Sequence, residues 1–358
     1  MKRFVKISIG VVLGLCLLMG GYALFFFQTE EAPFLQGKVL FSLPYHGELT
    51  LDVYQPTQQV YVRAPVLVYI HGGAWITGGK GSVNNARFNE AFNQLRNQGY
   101  AIVSPNYTLA RLGNPPFPAC LTDGFVALQW IEDHADSLGL DLNNVGLIGE
   151  SAGGHIAQVL AYMDGAEFGA NPEVPIRYLI DVYGPTDLGK LYRDQVPLID
   201  SLRSMTARLP ERWQKCLDVT RYLFGFDPTT DSIRAEQFAY AYSPFYHVGP
   251  QAPPTLLIHG EADRLVPFSQ SEILQGRLDD LGVSHQLHPL PGVDHAFREA
   301  TEAQKAEVQR WITEFVLAHY QGEQPLPHAA INSTARFPSR IAIFEHGIVP
   351  HLHCQSAL

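Results

Sequence analysis

Cysteine is scarce in this chain, with four among 358 residues. That is too few for a disulfide scaffold, so the fold has to rest on a packed core. Cys16 falls in an apolar N-terminal run and Cys354 near the C-terminus, which leaves Cys120 and Cys216 as the two that could pair within the folded body. Positive charge is also in deficit. Twenty-five Lys plus Arg against 35 Asp plus Glu give a net charge of −10, and without a basic patch nucleic acid is not an expected partner. No internal repeat is visible, which sets repeat architectures aside. The C-terminal His351-Leu352-His353-Cys354 group has no second ligand pair to complete a metal site, and no metal or organic cofactor is expected.

Charge is missing altogether from Ile7 to Phe27, a run of 21 mostly apolar residues, long enough for a helix to cross a hydrocarbon core. Lys2, Arg3 and Lys6 precede it, and Glu30 and Glu31 follow. That polarity fits an N-terminus left in the cytoplasm and a body on the far side. Residues 1–28 therefore read as a membrane anchor. The alternative is a signal peptide cleaved near Gly21-Tyr22-Ala23, with the rest secreted. From 322 to 358 Pro, His, Ser and Asn recur without periodicity, and a poorly ordered tail is expected.

What remains, residues 29–321, has the composition of a folded domain; the whole chain is 46% hydrophobic with 16 Tyr and 20 Phe. Lys38–Leu43 and Leu49–Tyr54 read as a hairpin. Continuous apolar runs at Pro65–Ile70, Tyr100–Pro105, Val145–Ile148, Ile176–Tyr183 and Thr255–His259 read as strands covered on both faces, with His285–Leu290 as a further strand. Amphipathic stretches at Asn84–Gln98, Pro118–Leu138, His155–Tyr162, Ser269–Leu281 and Ala300–His319 alternate with them. The alternation predicts an α/β fold, a mostly parallel sheet with helices on both faces. Residues 186–250 lack any clear strand and are read as a lid-like insertion of short helices over the sheet's edge.

The chain is organised around Gly149-Glu150-Ser151-Ala152-Gly153. A serine between glycines, after a strand and before a helix, is the pattern of a nucleophile elbow. The turn must be sharp enough to project the hydroxyl, and glycines remove the Cβ atoms that would clash. Serine needs a base, and His295, in the loop after the last strand, is the candidate. Asp263, just past a strand end, is the candidate to orient that histidine and stabilise the imidazolium; Asp294 is a weaker alternative, because neighbours in sequence rarely present side chains face to face. The order Ser, Asp, His is that of the α/β-hydrolase fold. His71-Gly72-Gly73-Ala74 supplies backbone N–H groups for an oxyanion, with Ala152 as the partner donor. His71, His155 and His259 are read as structural, and Glu150 as a residue that positions the turn.

These motifs, together with Phe117-Pro118-Ala119, Gly154-His155, His259-Gly260-Glu261-Ala262-Asp263, Val266-Pro267 and Asp294-His295-Ala296-Phe297, resemble the α/β-hydrolase superfamily. The likeness is to the HGG-motif esterases related to hormone-sensitive lipase and to the BD-FAE group, and it runs from about residue 38 to 320. It implies Ser151 as nucleophile, Asp263 as orienter, His295 as general base, and Gly72, Gly73, Ala74 and Ala152 around the oxyanion hole. Ala74 stands where many relatives have a third glycine. The implied activity is serine hydrolysis of small-molecule carboxylic esters through an acyl-enzyme. An amide-cleaving relative of the same fold is the alternative, and a non-catalytic binding module is disfavoured because all three triad residues are present.

Overall fold

The computed structural model describes residues 37–322 apart from 86, 112, 194–218, 227 and 229. Its strands are β1 (Val39–His46), β2 (Leu49–Tyr54), β3 (Ala64–Ile70), β4 (Ala101–Pro105), β5 (Leu140–Glu150), β6 (Ile176–Val182), β7 (Thr255–Gly260) and β8 (His285–Leu290). Among the described residues they form one eight-stranded sheet in the order β1-β2-β4-β3-β5-β6-β7-β8. The β1–β2 and β2–β4 pairs are antiparallel; every pair from β4 to β8 is parallel.

The helices are α1 (Asn89–Asn97), α2 (Ala119–Leu138), α3 (Ala152–Tyr162), α4 (Leu188–Arg193), α5 (Val219–Phe224), α6 (Ser232–Tyr242), α7 (Ser269–Leu281) and α8 (Glu302–Ala318). Period-two alternation along the strands divides the apolar side chains between the two helical layers. On β3, Val66, Val68 and Ile70 join Leu121, Phe125 and Ile131 of α2 and Ile156 and Val159 of α3. Leu67 and Tyr69 face the other way and join Phe92 and Leu95 of α1 with Val308, Ile312 and Phe315 of α8. Both faces of the central strands are dry, as their continuous apolar spelling requires. Local chemistry fixes the ends. Gly139 ends α2 in the left-handed conformation, φ 66°, and α8 opens with a capping box of Thr301 and Gln304.

One expectation needs correction. The helix expected over 84–98 begins only at Asn89; Lys80–Asn84 forms a 3₁₀ turn instead, and Asn84 and Asn85 carry local polar chemistry rather than helix propagation. The described part of the insertion carries the helices α4, α5 and α6. It enters between the inner strands β6 and β7 and packs on the elbow helix: the His155 ring nitrogen Nε2 donates to Tyr242 O at 2.7 Å, and Phe117 meets Phe238 and Tyr242 at 5.2 and 5.5 Å between ring centroids.

Cys120 is a free thiol, buried in α2; Cys216, the partner considered for it, lies outside the described residues. The proposed anchor over 1–28 and most of the tail over 322–358 also lie outside them. Among the described residues no helix is long and apolar enough to cross a membrane, and no cluster of His, Cys, Asp and Glu could hold a metal ion.

Candidate active site

Ser151 sits where β5 becomes α3, with φ 53° and ψ −120°. A non-glycine residue at positive φ is strained, and such strain concentrates at functional sites. The surroundings hold it there. Its N–H donates to Val182 O at 2.9 Å, and its carbonyl accepts from His155 N at 3.1 Å. The flanking glycines are required by close approach: a Cβ on Gly149 would come 2.1 Å from Gly153 O, and one on Gly153 would come 2.1 Å from Ile70 O.

Three loops bring the predicted residues together. His295 Nε2 is 3.0 Å from Ser151 Oγ. His295 Nδ1 is 2.7 Å from Asp263 Oδ2. The other carboxylate oxygen of Asp263 accepts from Leu265 N and Val266 N, both at 2.8 Å. All three side chains are largely buried, with each residue 8% exposed. Burial alone would push the Asp263 carboxyl upward, but hydrogen bonds from His259 and His295 hold it well below the usual carboxylate range. It is therefore an ionised acceptor that keeps the Nδ1 proton on His295 and leaves Nε2 as the acceptor facing Ser151 Oγ.

The loop that begins at Gly72 lies against the serine: a Cβ on Gly72 would fall 3.4 Å from Ser151 Cβ. Gly73, Ala74 and Trp75 follow with φ 122°, 53° and 57°, so the backbone turns left-handed three times in succession. Gly73 O anchors the turn by accepting from Ile76 N and Thr77 N, each at 3.0 Å. Among the described residues the N–H groups of Gly73, Ala74 and Ala152 make no backbone hydrogen bond, and Ala152 opens α3, where N–H groups are free by geometry.

The bland readings of the remaining histidines hold for two of them. His71 Nδ1 donates to Gly72 O at 2.8 Å, its ring stacks on Tyr107 at 4.2 Å, and burial pushes its pKa down to about 4; it braces the loop as a neutral ring. His155 is likewise neutral, pushed down to about 4 by burial, and packs edge-on to Trp75. His259 is more involved than expected. Its Nε2 lies 2.9 Å from Val266 O and 3.3 Å from Asp263 Oδ2. Two acceptors require the proton on Nε2, so Nδ1 accepts from the Ser271 hydroxyl at 2.7 Å.

Asp294 does not reach His295's ring. It binds Arg264 through backbone N and guanidinium and receives Arg298 Nη2 at 2.9 Å. Since Arg264 follows Asp263 and Asp294 precedes His295, this pairing locks the two loops together. Sequence reasoning also passed over Arg87 and Tyr183. Glu150 accepts from Tyr69 OH at 2.6 Å, Tyr183 OH at 2.8 Å, Arg87 Nε at 3.1 Å and Arg87 Nη2 at 3.2 Å. The Tyr183 ring lies 4.7 Å from that of His295 between centroids. The available signal was the tyrosine at a strand end beside Gly184-Pro185, where the chain must turn; Tyr183 has φ 45°.

The BD-FAE family model matches residues 51–278. The chain belongs to the BD-FAE family, within the α/β-hydrolase superfamily. A dienelactone hydrolase family model also matches residues 244–317. Among curated relatives, the probable carboxylic ester hydrolase LipM of Mycobacterium tuberculosis is 26% identical over 294 residues, covering 78% of this chain and 62% of LipM. The ethyl acetate hydrolase of Pseudomonas putida is 27% identical over 252 residues, covering 70% of this chain and 71% of that protein. The chain spans 62% of the length of LipM and of the esterase LipQ. The same fold is seen in a hyperthermophilic esterase from Pyrobaculum calidifontis, with a TM-score of 0.61 and 23% identity, covering 84% of this chain and 92% of that one. A truncated carbohydrate esterase from gut microbiota aligns with a TM-score of 0.61 and 18% identity, covering 80% of this chain and 100% of that one.

Proposed function

We propose that this BD-FAE family protein is a serine hydrolase of small-molecule carboxylic esters. The observation that carries the reading is the unbroken line Ser151 Oγ–His295–Asp263, at 3.0 and 2.7 Å. His295 Nε2 takes the serine proton as Oγ attacks the acyl carbon. The charge on the tetrahedral oxygen falls to backbone N–H groups at Gly72, Gly73, Ala74 and Ala152, since oxyanion donors are usually worth about 2.7–4 kcal/mol each. His295 then protonates the leaving alcohol, and a water activated by the same histidine releases the acid from the acyl-enzyme. The ester hydrolases among its relatives support the same chemistry.

The test is hydrolysis of p-nitrophenyl esters from acetyl to dodecanoyl by the full chain beside Ser151→Ala. The substitution is expected to lower kcat by a factor on the order of 10⁴ or more. Equal rates in the two proteins would remove Ser151 as nucleophile. Cleavage of anilides with no cleavage of esters would transfer the reading to amide chemistry. The packing of the helical insertion on α3 supports a lid beside Ser151, and the run 7–27 supports an N-terminal anchor with the catalytic body on the non-cytoplasmic side. Recovery of the protein in the soluble fraction, with an N-terminus beginning near Leu24, would overturn that anchor.

A further inference from the structure

Asp181 is the anomaly of the central sheet. It lies on β6, is fully buried, and among the described residues neither of its carboxylate oxygens has a hydrogen-bond partner. An uncompensated carboxyl in such a place is costly, yet the surrounding backbone is shaped to admit it. Its neighbour on β5 is Gly149, which has no side chain. A Cβ on Gly154 of α3 would stand 2.3 Å from its Oδ1, and a Cβ on Gly184 would stand 2.2 Å from it. A Cβ on Gly154 would also meet the Gly184 Cα at 2.9 Å, so Gly154 and Gly184 together leave a niche for this one group beneath Ser151's helix.

The niche opens toward the triad. Asp181 pairs in register with Leu257 of β7, and His259, two residues on, points from the same face of the sheet. The titratable groups that face Asp181 are His259 from β7 and Tyr162 from α3. Gln158 of α3 and the Gly184 N–H also face it, without reaching good hydrogen-bonding geometry. His259 in turn donates through Nε2 toward Asp263 Oδ2, the oxygen that receives His295.

We propose that Asp181 is a positioning residue for the triad, acting on Asp263 and His295 through the His259 imidazole. The proposal rests on the ester-hydrolase reading for its kinetic consequence, though not for its electrostatic one. A negative charge in the niche strengthens the His259 Nε2–H as a donor and holds Asp263 Oδ2 in place. It also favours the imidazolium that forms on His295 during acylation. Loss of that charge weakens both. Burial pushes the Asp181 carboxyl up to about 6, against the lowering influence of Gln158 and His259.

The experiment is Asp181→Asn, which keeps shape and removes charge, assayed on a p-nitrophenyl ester from pH 4.5 to 9. The parent's log kcat/KM should fall at acid pH with a slope above one, because two linked groups titrate. The variant should fall with a slope of one and reach a plateau lower by about three- to tenfold. A structural role alone would lower the plateau without changing the slope. Superimposable slopes overturn the proposal. Histidine-labelled protein supplies a second readout by NMR: the His259 ring carbons should show a step with a midpoint near 6 in the parent, absent from Asp181→Asn. If the parent hydrolyses no ester, the functional reading fails while this titration still decides on Asp181, and a His259 signal flat from pH 5 to 7 overturns the coupling.

Discussion

Two buried carboxylates flank Ser151, one on each face of the sheet, and they resolve their burial in opposite ways. Glu150 immediately precedes Ser151 and lies against the α1 and α8 layer, 3% exposed. Arg87 grips it with two nitrogens, and two tyrosine hydroxyls complete its shell. Asp181 lies on the α3 and α7 side, 0% exposed, with no such partner. Desolvation acts upward on both. For Glu150 the Arg87 charge and the hydroxyl donors overcome it and the carboxyl is lowered; for Asp181 nothing does, and it rises to about 6. Burial therefore sets only the size of the problem, and the partner sets its sign. The paired site behaves as permanent scaffolding under the elbow, whereas the unpaired one is able to change charge.

The largest effect should come from making the first site resemble the second. Arg87→Met leaves Glu150 buried without a counter-charge, and breaking a buried pair in this way costs about 3–5 kcal/mol. Urea unfolding at pH 7 measures it. The sign follows from linkage. Glu150 is lowered in the fold, so its contribution to stability is present above its unfolded value of 4.5 and is lost as pH falls through the folded value. In Arg87→Met the deficit should therefore shrink toward pH 4, and Glu150→Gln added to it should restore much of the loss at pH 7. A deficit independent of pH would mean that Arg87 matters for packing and not for charge. Its carbonyl does accept from Gln309 Nε2 at 2.7 Å, but that bond survives the substitution.

The converse change is smaller. Asp181 is raised in the fold, so its contribution is fully present below its unfolded value of 3.8 and is lost as pH rises through about 6. A shift of that size corresponds to about 3 kcal/mol between the two ends of the window. Asp181→Asn should accordingly gain on the parent as pH rises from 4 to 7, read as the difference in unfolding free energy. Parallel stability curves across that range would remove the contrast between the two carboxylates. A variant that is more stable at pH 8 yet slower would mark Asp181 as a group retained for activity at a cost in stability.

Much of this site was readable before any coordinates. The elbow is local chemistry: five adjacent residues carry strand end, turn and helix start, so Ser151, Gly149 and Gly153 could be assigned together. Asp263 and His295 were accessible because parallel strands deliver their loops to one edge, and the order of those loops is the order of the chain. The two carboxylate environments were not legible for a physical reason. Arg87 reaches Glu150 across 63 residues, and no periodicity announces such a contact. Asp181 did leave a trace, as the one charged residue inside the apolar end of the Ile176–Tyr183 run. Its meaning depends on strand register and on Gly154 and Gly184, which only the assembled sheet brings together. The start of α1 at Asn89 was missed for a smaller reason: asparagines at 84 and 85 satisfy backbone groups locally as readily as they extend a helix.

The smallest predicted effect tests the residue that joins the two regions. Tyr183 follows Val182 on β6, donates its hydroxyl to Glu150 Oε2 at 2.8 Å, and lays its ring 4.7 Å from that of His295. Tyr183→Phe deletes the donor and keeps the ring. A hydrogen bond to a charged acceptor contributes about 1.5–3 kcal/mol, and the lower end applies because Arg87 and Tyr69 still hold Glu150. Thermal unfolding should register a loss of about 1.5 kcal/mol. Ester hydrolysis should stay within about twofold of the parent, since the ring that supports His295 remains. If kcat/KM instead falls tenfold while stability is unchanged, the hydroxyl serves the histidine and not the scaffold. The division between a fixed carboxylate on one face and a titrating one on the other would then have to be redrawn through Tyr183.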